Sequence, residues 1–333
     1  MMSLAYHICK LSRARHVLFT FNERLYRTDG VQDKVKLPQR LIHRHDFEHF
    51  LTSYDNFLLD CDGVLWQTDH VTPIGGISQT IELLHSLNKR LLYVTNNSMH
   101  GRSMYVEKFK KYGFEAAIEN IFGVAYAAAV YLKKVSNVTK KVYVLGSKGM
   151  IEEMDLLNID HFGYGPDPDI PSWNPEELLK MNFSDDVGAV LIGFDEFLNY
   201  NKIFKAASYL TDNTCLYVAT NNIESGVLIA PNRRQPLTGC LVTAVTAASK
   251  REPVVLGKPN TLMFDCILEQ YPSLVKKRTV FIGDSLKADI AFAKNVGIDS
   301  ALVLTGSTTL ETLKAMPDLQ PTYILDSFAD LSK

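Results

Sequence analysis

The sequence predicts an α/β fold: a doubly wound, parallel-sheet core with a second α/β block inserted into it. Two observations predict this. Short apolar runs alternate with helical segments along most of the chain, the pattern of parallel sheets whose crossovers are helices. The charged and polar residues that interrupt the apolar runs fall at strand carboxyl ends, where open α/β sheets bind their ligands.

Residues 1–45 form an N-terminal extension without clear alternation. Lys10, Arg13 and Arg15 precede the first acidic residue, Glu23, which raises the reading of a mitochondrial transit segment. Serine enrichment and a convincing amphipathic helix are lacking, so an ordinary variable extension is preferred. His43, His45 and His49 fit a solvated helix face with Asp46 as N-cap better than a metal site, because no Cys or further His stands nearby at ligand spacing. From residue 54 the alternation begins: strand 54–60, helix 75–89, strand 90–95, helix 102–112 and helix 121–134. The inserted block holds strand 141–145, helix 148–157, strand 187–193, helix 199–211 and strand 215–219, with a Gly- and Pro-rich loop at 161–169. The first pattern then resumes with strand 253–256, helix 260–270, strand 279–283, helix 286–296 and strand 300–304. The expected domains are a discontinuous core, 46–140 with 252–333, and an inserted cap, 141–251.

The bulk numbers narrow the function classes. With 333 residues, 46% hydrophobic and 22% charged, the chain is long enough for two globular units. Its net charge of −2, from 35 basic and 37 acidic residues, provides no basic field for nucleic acid or a membrane surface. No apolar run approaches the ~20 residues of a membrane helix. Five scattered cysteines, odd in number and without Cys-x-x-Cys, favour reduced thiols and a cytoplasmic setting. Cys61 lies between acidic residues, which oppose its ionisation, and reads as structural.

Four short signals carry chemistry. In Asp60-Cys61-Asp62-Gly63 two carboxylates lie two apart at the end of a buried strand, so both can face one site. One would serve as nucleophile and the other as proton donor, with a cation easing their repulsion. The bland alternative is an Asp-Gly turn. Thr95, Asn96, Asn97 and Ser98 follow strand 90–95 and can hydrogen-bond phosphate oxygens, although a helix cap would use the same residue types. Gly257-Lys258-Pro259 fixes a lysine that can meet a phosphate as a point charge. Gly283-Asp284-Ser285-Leu286-Lys287-Ala288-Asp289 places two further carboxylates, hard oxygen ligands that suit Mg²⁺, at another strand end.

In this order and each at a strand end, the four signals resemble those of the haloacid dehalogenase superfamily, over roughly residues 50–310. More narrowly, the chain resembles the 4-nitrophenylphosphatase, phosphoglycolate phosphatase and pyridoxal phosphatase group, which inserts an α/β cap between the second and third motifs. Asp60-Cys61-Asp62-Gly63-Val64-Leu65-Trp66, Val187–Asp195, Tyr200, Lys202 and Ala219-Thr220-Asn221 carry that narrower match. The resemblance implies a Rossmann-like core and a Mg²⁺-dependent phosphomonoesterase for small phosphorylated metabolites. Asp60 would be the nucleophile and Asp62 the acid and base. Thr95, Asn96, Asn97 and Lys258 would bind the phosphoryl group. Asp60, the Asp62 carbonyl and Asp284 would hold the metal, with Asp289 and Gly63 in support. It further implies a homodimer through the cap. Alternatives are a pyridoxal phosphate or phosphoprotein phosphatase, or a non-catalytic binding protein of the same fold. That last reading would predict loss of a motif residue, and none is lost. The cap loop departs from its relatives. Ile223 stands where they often have Asp, and Leu237 where they often have Gly; Arg233 and Arg234 read as a solvated turn.

Overall fold

The computed structural model describes residues 38–169, 172–223 and 227–333. Most of the N-terminal extension, including Lys10, Arg13, Arg15 and Glu23, therefore lies outside the described residues. Two parallel sheets organise the rest. The larger has seven strands: β1 (Gln39–Arg40), β2 (Asn56–Leu59), β3 (Arg90–Thr95), β4 (Ile121–Gly123), β12 (Thr279–Gly283), β13 (Asp299–Val303) and β14 (Tyr323–Leu325), in the order β1-β14-β13-β12-β2-β3-β4. The smaller has five: β5 (Lys141–Leu145), β6 (His161–Phe162), β7 (Val187–Ile192), β8 (Leu216–Ala219) and β11 (Val254–Val255), in the order β11-β8-β7-β5-β6. A hairpin of β9 (Val227–Ala230) and β10 (Arg233–Gln235) stands apart from both. The fold is the expected doubly wound core with an inserted α/β cap.

Chain order reverses at one place in the larger sheet. From β2 the chain winds outward through β3 and β4, and from β12 it winds the other way through β13 and β14. β2 and β12 are neighbours, with Phe57 opposite Val280 and Leu59 opposite Ile282. Their carboxyl ends, carrying Asp60 and Asp284, therefore flank the crevice where a doubly wound sheet binds ligand.

The β2 sequence explains its central place. Phe57 and Leu59 enter one hydrophobic layer with Phe50, Ile81 and Phe109, while Leu58 enters the other with Leu92, Val94 and Phe281. All three β2 residues are fully buried, each contributing roughly 1.5–3 kcal/mol, which requires covering on both faces. The second layer is shared. Residues of helices Val124–Val130 and Leu262–Gln270 pack there with Val142, Val144, Met150 and Leu191 of the smaller unit.

Several elements differ from expectation. Residues 121–123, expected to be helical, form β4, and helix begins at Val124. A short apolar run has no period that distinguishes strand from helix, and pairing of Tyr93 with Ile121 decides it. The helix expected over 286–296 opens with a wider i→i+5 turn at Leu286–Ile290. His161–Phe162, read as loop, pairs beside β5. The strand expected over 253–256 is Val254–Val255, and it joins the smaller sheet through β8. Asp46 is not the N-cap of helix Arg44–Ser53. His43 is, and Asp46 accepts its N–H at 2.9 Å from inside the first turn. His43, His45 and His49 are exposed.

Candidate active site

The site assembles from the carboxyl ends of β2, β3 and β12 and the loop after β11. Asp60 follows β2 directly, and its N–H donates to Ile282 O of β12 at 2.9 Å, which fixes the strand end. Lys258 is the hub. Its buried ammonium lies 2.8 Å from Asp60 Oδ1 and 2.8 Å from Asp289 Oδ1, and donates to Val94 O at 2.9 Å. The Asn96 side chain clamps the Lys258 backbone at both ends. Asn96 Oδ1 accepts Lys258 N–H at 2.7 Å and Nδ2 donates to Lys258 O at 2.9 Å. One donor and one acceptor site of that amide are thereby committed to the backbone. Thr95 is buried, and its hydroxyl oxygen accepts Asn97 N–H at 3.1 Å. Asn97 spends its side-chain oxygen on Met99 N–H at 2.9 Å, the turn its residue type also allowed.

Asp284 and Asp289 close the other side. Asp289 Oδ2 accepts the N–H groups of Asp284 (3.1 Å) and Ser285 (3.0 Å), which holds the loop after β12. Asp284 Oδ2 accepts Ser307 N–H at 2.5 Å. Two glycines leave room for it. A Cβ on Gly63 would fall 2.7 Å from the Asp284 carboxyl, and one on Gly306 would fall 2.1 Å from Asp284 Oδ2. Gly63 also has φ +80°, a conformation side chains avoid.

Oxygens of Asp60, Asp284 and Asp289, all buried, lie within 4.8 Å of one another. Three carboxylates face one ammonium, so the cluster carries surplus negative charge. Burial and the Asp289 charge push the Asp60 carboxyl well up, with Lys258 opposing them. The same two causes push Asp284 up to about 6. Burial pushes Lys258 down, but Asp289 and Asp60 outweigh it and raise the ammonium. A hard divalent cation fits this donor set, because it offsets charge that the lysine alone does not.

Asp62 lies in a different setting. Residues 61–66 make a tight turn, in which Cys61 O accepts Leu65 N–H at 2.9 Å and Trp66 O accepts Gly63 N–H at 2.7 Å. A flap follows, closed by Gln67 N–H to Thr72 O at 2.7 Å, with His70 in the left-handed region at φ 63°. This fold-back brings Trp66 Nε1 to 2.5 Å and His70 Nδ1 to 2.7 Å from Asp62 Oδ1. Burial pushes Asp62 up, but His70, the Trp66 N–H and Lys108 together hold the carboxyl below its ordinary value.

Three supporting residues escaped the reading of the sequence as functional. His70 and Ser307 hold the carboxylates of Asp62 and Asp284. Asn221 of the cap donates to Asn96 O at 3.0 Å and so joins the cap to the loop after β3. His70 had one local signal, its place eight residues after Asp62 in a segment with turn residues. Asn221 stood in a segment that carries the family resemblance, without a role, and Ser307 had no signal, because its contact is distant in sequence. Leu237 has φ −100°, so its position requires no special backbone angle. Ile223 is partly exposed two residues beyond Asn221.

Known proteins resemble the chain along most of its length. The pattern of the haloacid dehalogenase-like hydrolase family matches residues 57–160, and that of HAD-hydrolase-like proteins matches 255–331. Phosphoglycolate phosphatase 2 of Arabidopsis thaliana is 36% identical over 303 residues, covering 89% of this chain and 98% of the relative. Glycerol-3-phosphate phosphatase of Rattus norvegicus is 36% identical over 302 residues, covering 84% and 91%. Among solved structures, p-nitrophenyl phosphatase from Archaeoglobus fulgidus superposes with TM-score 0.70 at 27% identity, covering 84% of this chain and 98% of that one. A strand-end carboxylate paired with a buried lysine at the switch point, and relatives of this kind along nearly the whole chain, lead to one conclusion: the chain belongs to the haloacid dehalogenase-like hydrolase family and is a phosphoric monoester hydrolase.

Proposed function

We propose that the chain hydrolyses small phosphate monoesters, of the phosphoglycolate, glycerol phosphate and 4-nitrophenyl phosphate type, through an aspartyl phosphate on Asp60, with Mg²⁺ as cofactor. The observation that carries this reading is the Lys258 ammonium bridging Asp60 and Asp289 at the end of β2. An ionised carboxylate attacks a phosphate dianion only where positive charge offsets their repulsion, and the hub supplies it.

In the first step an Asp60 oxygen bonds to phosphorus and the bond from phosphorus to the leaving oxygen breaks. That oxygen keeps the electron pair and takes a proton from Asp62, giving a free alcohol and a phosphorylated Asp60. In the second, Asp62 takes a proton from water as the water oxygen bonds to phosphorus, and the Asp60 carboxylate departs. Dividing the hydrolysis this way replaces one high barrier by two lower ones. Asp62 is held ionised by its partners, the state the second step needs; the charge of an arriving phosphate dianion raises it for the first. The Thr95 hydroxyl, the main-chain N–H of Asn96, the side-chain N–H of Asn97 and Lys258 would cradle the phosphoryl oxygens. Asp60, the Asp62 carbonyl and Asp284 would hold Mg²⁺, which supplies Lewis-acid charge. Asp289 and Gly63 keep the arrangement in place.

The same reading divides the chain into core, 46–140 with 252–333, and cap, 141–251, save that β11 at Val254–Val255 pairs into the cap sheet, with the cap loop selecting the alcohol. Trp173 and Leu179, 85% and 87% exposed in the segment between β6 and β7, support a homodimer formed through the cap, which sedimentation would test. The free thiols of Cys61, Cys215 and Cys266 support a cytoplasmic location. The deciding experiment is a panel of phosphate monoesters with Mg²⁺ and with EDTA. Hydrolysis should need the metal, and Asp60→Asn should abolish turnover and phosphoenzyme. Near-normal activity in that variant would overturn the mechanism.

A further inference from the structure

His70 belongs to no part of the chemistry described so far, yet it touches the group that must move a proton. Two donors converge on a single oxygen of Asp62: Trp66 Nε1 at 2.5 Å and His70 Nδ1 at 2.7 Å, both on Oδ1. Among the described residues, Oδ2 accepts no hydrogen bond. A carboxyl held by one oxygen has its rotamer fixed and its other oxygen free. From this geometry we infer that His70 is a positioning residue for the acid–base group: with Trp66 it anchors Asp62 Oδ1, so that Oδ2 is the oxygen that gives and takes the proton. The inference rests on the proposed role of Asp62.

The flap is built to hold the imidazole there. His70 N–H donates to Gln67 O at 3.0 Å, and Lys108 Nζ donates to His70 O at 2.9 Å. Lys108 in turn lies over the Trp66 ring, 3.6 Å from its centroid, and Trp66 stacks on Tyr105. Lys108 thereby ties both donors to helix Arg102–Lys111, one through its backbone and the other through its ring. The side chain of His70 is 34% exposed, so this is no core histidine retained for packing.

The leaving group separates a positioning role from a structural one. An alkoxide departs only with a proton, whereas 4-nitrophenolate departs almost without one. The experiment compares parent, His70→Ala and His70→Asn in single-turnover release of glycerol from glycerol 3-phosphate and of 4-nitrophenol from its phosphate. We expect His70→Ala to slow the alkyl reaction by ~10-fold or more and the aryl reaction by less than ~2-fold, a part of the roughly 10²–10⁴-fold that general acid catalysis supplies. His70→Asn, whose amide can donate near the same point, should recover most of the loss. Equal loss on both substrates, or no loss on either, overturns the inference. Failure of the underlying mechanism would show separately, as activity retained by Asp60→Asn.

Discussion

Lys258 has one ammonium and three partners, and two of them are charged. Removing it leaves Asp60 and Asp289 buried without compensation, which for a broken buried pair costs on the order of 3–5 kcal/mol. Lys258→Met should therefore lose both activity and stability, seen as a lowered denaturation midpoint. Adding Asp289→Asn should restore part of the stability and none of the activity. Gly63 admits no such repair. Alanine there meets the Asp284 carboxyl and takes a left-handed backbone at about 1–2 kcal/mol. Asp60, Lys258, Asp284 and Asp289 were legible in the sequence because each stands in a short motif at a strand end. Asn96 was legible as a site residue, but its side chain is given to the Lys258 backbone, an economy no motif reveals. His70 was illegible, since a lone histidine in a loop has many ordinary explanations.

Among the elements, the flap has a stability that should follow pH through Asp69. The Thr72 hydroxyl and the N–H groups of Thr72 and Val71 all point at Asp69 and hold its carboxyl down to about 2. In the unfolded chain it would titrate near ~3.9. The folded value is the lower one, so the contribution is complete above the unfolded value and is lost as pH falls toward 2. Hydrogen exchange at Val71 and Thr72 should be faster in Asp69→Ala than in the parent at neutral pH, with the gap narrowing below about 4. A gap that ignores pH would count against this account. The long strands and helices could be read from periodicity, and β3 falls where it was expected, at Arg90–Thr95. β4, β6 and β11 could not. Two or three residues hold no period, and their state is set by the neighbour they pair with.

At the scale of the whole molecule, the charge balance of the site is also a balance of stability. Three buried carboxylates against one lysine cost folding free energy that a bound divalent ion recovers. At a hundredfold excess over its dissociation constant, such an ion adds about 2.7 kcal/mol, a rise of roughly 5 °C in melting temperature. Calorimetry with Mg²⁺ and with EDTA should show that rise in the parent, and its loss in Asp284→Asn. The doubly wound order was legible because alternation survives the insertion. The joint between the two sheets was not, because it depends on contacts such as Asn221 with Asn96, which lie 125 residues apart.

That joint has a mechanical consequence. Val254 and Val255 hydrogen-bond with β8 in the smaller sheet, Gly257 N–H holds Thr220 O at 2.7 Å, and the next residue is Lys258, whose ammonium rests on Asp60. Two residues, Leu256 and Gly257, thus separate a strand of the smaller sheet from the ammonium that pairs with Asp60. A displacement of the smaller sheet would therefore reach Lys258 through a short, hydrogen-bonded segment. If the cap selects the alcohol, as proposed, the fit of that alcohol would be felt as the position of a lysine.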